Sequence, residues 1–223
     1  MGVCNILCIT GDGVQAGDHP QAKPVFDLDS VSLLGIAKTL RDDHHFESGR
    51  RISMAPRVFL GAAANPFAEP LDWRPIRLAK KVAAGAQFIQ TQYCFDIPRL
   101  RQFMTAVEEL GFIDKVFLLV GVGPLRSAKA AEWMRTHVPG LHIPDTVIRR
   151  LERAEDQARE GRNLCVELIQ EIRAIRGVHG VHVMAYRQEE SVAEVIDRSQ
   201  VLAGRVPWFP ARDTPPASSK ASP

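Results

Sequence analysis

Two glutamines, Gln90 and Gln92, sit inside the apolar run from Phe88 to Phe95. Strand side chains alternate between faces, so Phe88, Gln90, Gln92 and Cys94 are expected on one face and Ile89, Thr91, Tyr93 and Phe95 on the other. A carboxamide carries donors and an acceptor, and burying one without partners costs about 1–3 kcal/mol. Such a pair either satisfies itself, with its neighbour or with water, or presents an amide edge to a heterocyclic ligand. Asp12 follows Gly11 at the end of another apolar run. A carboxylate there serves a turn or a helix cap, or else it lies beside a site and favours a developing cation. Arg74, Arg77 and Lys81, with Lys80 adjacent, have helical spacing. A row of this kind is a solvated face or a pairing surface for phosphates. His19 is a lone imidazole in a polar loop, and no His/Cys grouping has the spacing of a metal site, so no metal is expected.

Five alternations of a short apolar run with a helical stretch position these residues. The runs are Asn5 to Thr10, Val58 to Ala64, Phe88 to Phe95, Val116 to Val122 and Val181 to Tyr186. Helices are expected from Asp29-Ser30, from near Trp73 to Gly85, from Pro98 to Leu110, through Trp133, and from Glu189 to Leu202. An extra helical stretch, Asp145 to Arg176, separates the fourth and fifth runs. Runs this continuously apolar predict strands buried on both faces, and their alternation with helices makes the sheet parallel. The fold class is therefore α/β. A doubly wound sheet would carry G-x-G-x-x-G after its first strand, and that motif is absent here. The alternative is an incomplete (β/α)8 TIM-type barrel of about five β/α units, with functional residues where strands end. Residues 1–203 make up this partial barrel, and the Pro/Ser/Ala-rich tail 204–223 is expected to be disordered.

Composition narrows the function further. The chain has 223 residues, 45% of them apolar and 24% charged, with a net charge of +2. The basic residues are spread along the chain, so no nucleic-acid partner is expected. No apolar run reaches the roughly 18 residues of a spanning helix, and no signal pattern opens the chain, so a cytoplasmic protein without a membrane partner is expected. Cys4, Cys8, Cys94 and Cys165 form no zinc-type pairs and are expected to be inert thiols.

Several segments carry a resemblance to a known family. They are Gly11-Asp12, Gly17-Asp18-His19-Pro20, Phe26-Asp27-Leu28-Asp29-Ser30, Lys80-Lys81-Val82-Ala83-Ala84-Gly85-Ala86 and Thr91-Gln92-Tyr93-Cys94-Phe95-Asp96. In this order, over about residues 5 to 203, the chain resembles the methylenetetrahydrofolate reductases. The resemblance implies a (β/α)8 barrel with FAD at its C-terminal mouth. NADH or NADPH would reduce the flavin, which converts 5,10-methylenetetrahydrofolate to 5-methyltetrahydrofolate, a step of one-carbon metabolism and methionine biosynthesis. It implies Asp12 as the catalytic carboxylate near flavin and pterin, and Gln92, with Gln90 beside it, as folate-binding. Thr10, Gly11, Asp12, Arg77, Lys80 and Lys81 fall on the cofactor side. Thr10 stands where the family usually has Arg, and Arg74 and Arg77 stand where it commonly has Asp and Asn. The resemblance starts at the family's fourth strand, beyond the strands that bring the glutamate general acid. A barrel that does not close alone is therefore expected, either a truncated reductase or one part of a two-chain enzyme. A second chain would supply the missing strands, or the chain would form a homo-oligomer. The alternative is a non-catalytic folate- or flavin-binding subunit.

Overall fold

The computed structural model describes residues 2–205, so the tail from residue 206 lies outside the described residues. Five parallel strands form one sheet: β1 (Asn5–Cys8), β2 (Phe59–Ala64), β3 (Phe88–Tyr93), β4 (Phe117–Val122) and β5 (Val178–Val183). The helices are α1 (Ser30–Lys38), α2 (Trp73–Ala83), α3 (Ile97–Glu109), α4 (Ala128–His137), α5 (Asp145–Glu152), α6 (Gln157–Arg173) and α7 (Val192–Ser199). Local chemistry sets several helix starts. Asp29, Asp96, Ser127 and Asp156 each accept a backbone N–H two or three residues into the helix that follows, at 2.7–3.1 Å. Caps of this type stabilise by about 1 kcal/mol each.

The strands neighbour one another in sequence order, β1-β2-β3-β4-β5. A doubly wound sheet reverses its direction of growth at a switch point, whereas this sheet never reverses, as in an arc of a (β/α)8 barrel. Helices cover one face: α1 packs on β1 and β2, α2 on β2, and α6 on β4 and β5. Between helices and sheet lies the core, where Leu60, Ile89, Leu118 and Val120 meet Leu78, Leu100 and Ile169.

The other face of the sheet is the inner wall of the arc. Near the strand starts, Phe59 stacks on Phe88 at 5.5 Å and meets Phe117 at 5.9 Å, and Phe117 meets His179 edge-on at 5.0 Å. Gly61 makes room for this row, because a Cβ there would lie 2.2 Å from the Phe88 ring. In a closed barrel such side chains fill the interior. Here they line an open concavity of about 650 Å³, and Phe117 is 53% exposed.

Several boundaries differ from the sequence expectation, and α7 is shorter than the expected Glu189 to Leu202. β5 runs three residues earlier than the apolar run Val181 to Tyr186, because His179 and Gly180 interrupt the apolar pattern without interrupting the ladder. The stretch from Asp145 to Arg176 is two helices, broken where Asp156 turns to cap α6. No described helix is long and apolar enough to cross a membrane.

Among the described residues β1 and β5 each keep one unpaired edge. Free edges and an exposed aromatic wall both favour association. The purified chain is expected to self-associate with rising concentration in light scattering, and Phe117→Lys is expected to reduce this. A monodisperse monomer with one sharp thermal transition would contradict the open arc.

Candidate functional site

At the carboxyl ends of the strands lies a cleft of about 390 Å³. Leu7 of β1, Ala63, Ala64 and Asn65 at the end of β2, and Gln90, Thr91 and Gln92 of β3 line it. His182 and Met184 face it from β5, and Arg74, Arg77, Leu78 and Lys81 from α2.

A break in the register of β3 and β4 shapes its floor. Gln90 pairs with Leu119, but the next pair is Tyr93 with Gly121, so β3 carries one extra residue. The bulge brings the β3 backbone over Gly121, where a Cβ would lie 2.4 Å from Thr91 O and 2.7 Å from Gln92 O. Thr91 Oγ1 holds the bulge from both sides, accepting the Gly121 N–H at 2.9 Å and donating to Gln92 O at 2.8 Å. Both glutamines line the cleft. Strict alternation would put Cys94 on their face, yet Cys94 is fully buried in the core, and burial pushes its thiol up to about 12. Cys165 is likewise pushed up to about 12 by burial, whereas Cys4 is exposed.

The free hydrogen-bonding groups of the cleft can be counted. Gln92 Oε1 accepts the Tyr93 N–H at 3.0 Å, which leaves its NH2 group to face the cleft. Gln90 has no side-chain partner among the described residues. Asn65 is spent: its NH2 donates to Gly140 O at 2.8 Å and its oxygen accepts the Phe67 N–H at 3.0 Å. Arg74 is spent on the carbonyls of Ala68, at 2.5 Å, and Glu69, so it clamps the loop before α2. Lys81 Nζ donates to Ala63 O at 2.6 Å. Burial lowers the Lys81 pKa, the Arg77 charge lowers it further, and Asp29 opposes both. Among the described residues no carboxylate lines the cleft, and Arg77 and Lys81 offer positive charge to an anionic group.

The residues singled out in the sequence thus divide. Gln90, Gln92, Arg77 and Lys81 come together, while Thr10, Gly11, Asp12 and Lys80 are exposed outside the cleft lining. Thr10 Oγ1 accepts the Ser30 N–H at 2.8 Å and ties the strand-end loop to α1. Asp12 lies on that loop, after β1. His182 falls within the expected fifth run, Val181 to Tyr186, but is not among the residues singled out there. Its signal was the polar position within an alternating strand. Asp96 of the Thr-Gln-x-x-x-Asp segment caps α3 and pairs with His142 at 3.1 Å, a structural duty. A second cleft, of about 700 Å³, opens on the far side of Tyr93, where Trp133 and Tyr186 meet Arg126, Lys129 and Arg187. Among the described residues no His/Cys/Asp/Glu cluster could hold a metal ion.

A parallel arc with its amides and cations gathered at the strand ends is the mouth of a (β/α)8-type barrel. The sequence profile described as Methylenetetrahydrofolate reductase matches residues 1–200, and the chain belongs to that family. Among solved structures it is similar to an uncharacterized protein from Clostridium thermocellum that binds two copies of 5-methyl-5,6,7,8-tetrahydrofolic acid, with a TM-score of 0.51 and 18% identity. That alignment covers 65% of this chain and 53% of the other, so this chain spans about half of that protein's length, and at such identity the likeness is one of fold. No curated protein matches the chain.

Because the bulge needs Gly121 bare, Gly121→Ala is expected to destabilise the fold by about 1–3 kcal/mol. Urea denaturation measures this, and an unchanged midpoint would show that the bulge does not depend on Gly121.

Proposed function

We propose that the chain binds a reduced folate by its pterin end in the cleft of Gln90 and Gln92, as the C-terminal five-strand part of a methylenetetrahydrofolate reductase. The reaction is reduction of 5,10-methylenetetrahydrofolate to 5-methyltetrahydrofolate, with NADH or NADPH as reductant. One observation carries the reading: two amides, held on a bulged strand, face a cleft of ligand size beside a cationic pair without carboxylates. A pterin edge alternates donors and acceptors, which is what carboxamides recognise. Family membership and the folate-binding structural neighbour support the assignment.

Arg77 and Lys81 suit the phosphates of FAD, because among the described residues neither makes a salt bridge and Lys81 is held in place by Ala63 O. Flavin, when bound, supplies the hydride chemistry. The chain's own residues orient the substrate: Gln92 offers its NH2, Gln90 both halves of its amide. Asp12, on the loop after β1, is assigned the carboxylate that favours positive charge on the folate as its ring opens. Strands supplied by a second chain, or association of copies, would complete the wall. A folate-binding role without turnover is the second reading, favoured by the absence of any carboxylate from the cleft lining.

Calorimetry with 5-methyltetrahydrofolate tests the binding. Gln92→Ala is expected to weaken it about tenfold and Lys80→Ala to leave it unchanged. Equal affinity of Gln92→Ala and the parent chain would sink the pterin assignment. A flavin absorbance spectrum, lost in Lys81→Met, is expected for the reductase. A colourless protein that binds folate tightly and does not take up added FAD would favour the binding role.

A further inference from the structure

We infer that His182 is the hydrogen-bond acceptor that reads an N–H edge of the bound heterocycle, and that it makes binding in this cleft sensitive to pH. This rests on the folate reading above and adds a specificity-determining residue to it. The argument is an inventory of lone pairs. Arg77 and Lys81 are donors only, and Gln92 Oε1 already accepts the Tyr93 N–H. Asn65 has both ends of its amide engaged. Thr91 Oγ1 already accepts from Gly121 and donates to Gln92 O. Among the described lining side chains, the nitrogen or oxygen acceptors without any partner are therefore Gln90 Oε1 and one imidazole nitrogen of His182. A pterin carries an amino group and ring N–H groups alongside its acceptors. Gln90 Oε1 can meet one of these groups, and a neutral His182 supplies the second unpartnered acceptor.

The fold gives His182 access to the ligand. In the β4–β5 register His182 stands beside Gly121, which has no side chain, and the Met184 methyl and the bulged β3 backbone close over that position. The surroundings also hold it neutral. The ring is half-buried, and that burial alone lowers its pKa below the ordinary value of 6.5. The charged groups facing the cleft are the cations Arg74, Arg77 and Lys81 of α2. β1, β3 and β4 contribute no acid or base to the lining, and His179 of the same strand lies in the concavity near the strand starts. Protonating His182 would exchange an acceptor for a donor and add a positive charge to a cleft already positive.

The sign of the pH effect follows. Neutral His182 is the binding form, so affinity is level above its pKa and falls as pH drops through it, approaching tenfold per pH unit well below. The experiment is calorimetric titration with 5-methyltetrahydrofolate from pH 5 to 8 on the full chain, on His182→Gln and on His182→Phe. Gln supplies an acceptor that does not titrate, and the ligand's own ionisations are common to all three proteins. His182→Gln is expected to bind within a few-fold of the parent at pH 8 but to lack its excess fall in acid. His182→Phe is expected to bind about tenfold more weakly at pH 8, with unchanged far-ultraviolet circular dichroism. Ring resonances of His182 give a readout independent of any variant, since saturating folate should lower the pKa further. Folate binding with the same pH profile in parent and His182→Gln, or a pKa of His182 raised by folate, overturns the inference and leaves the folate reading standing. Absence of folate binding by the parent at every pH overturns both.

Discussion

The extra residue in β3, held against Gly121 by the Thr91 hydroxyl, is the constraint on which the site depends. Regular pairing would continue the alternation of β3 and carry Cys94 onto the face of the glutamines. With the bulge, Cys94 drops into the core while Gln90 and Gln92 keep to one cleft, joined there by Thr91. Bulges of this kind recur beside functional sites because they re-aim side chains without giving up the sheet. Here the bulge also spends the Gln92 oxygen on the Tyr93 N–H and so fixes which half of that amide a ligand meets.

The surrounding elements serve that arrangement. α2 runs along the cleft because Leu78 is buried in the core, which places Arg77 and Lys81 toward the strand ends. Arg74 closes the loop before α2 through carbonyls, and Asn65 ties the end of β2 to the segment at Gly140. The cleft is thus braced by polar groups already engaged with the backbone. Gln90, Gln92, Arg77, Lys81 and His182 define its chemistry.

Much of this was legible in the residues. Apolar runs broken by Gly, Pro and Asn located four of the five strands closely, and Asp29, Asp96 and Asp156 mark helix starts that any reading of caps would find. The glutamines were legible too, as polar side chains that an apolar strand must account for. The bulge was not, because nothing in Phe88 to Phe95 departs from strand composition and the cause lies in Gly121 on another strand. His182 lies within the expected run Val181 to Tyr186, but one imidazole there carries no sign of a ligand role without the neighbouring strands. The positions of Thr10 and Asp12 depend on the course of an exposed loop, which local residue types do not determine.

The central claim is that the bulge-built cleft holds the pterin. Side-chain amide resonances of the glutamines report on it directly as 5-methyltetrahydrofolate is added to labelled protein. The account predicts saturable shifts of Gln90 and Gln92 at one common affinity, with the braced Asn65 amide moving less. Saturable shifts confined to the second cleft, around Trp133 and Tyr186, with both glutamines unmoved, would contradict it.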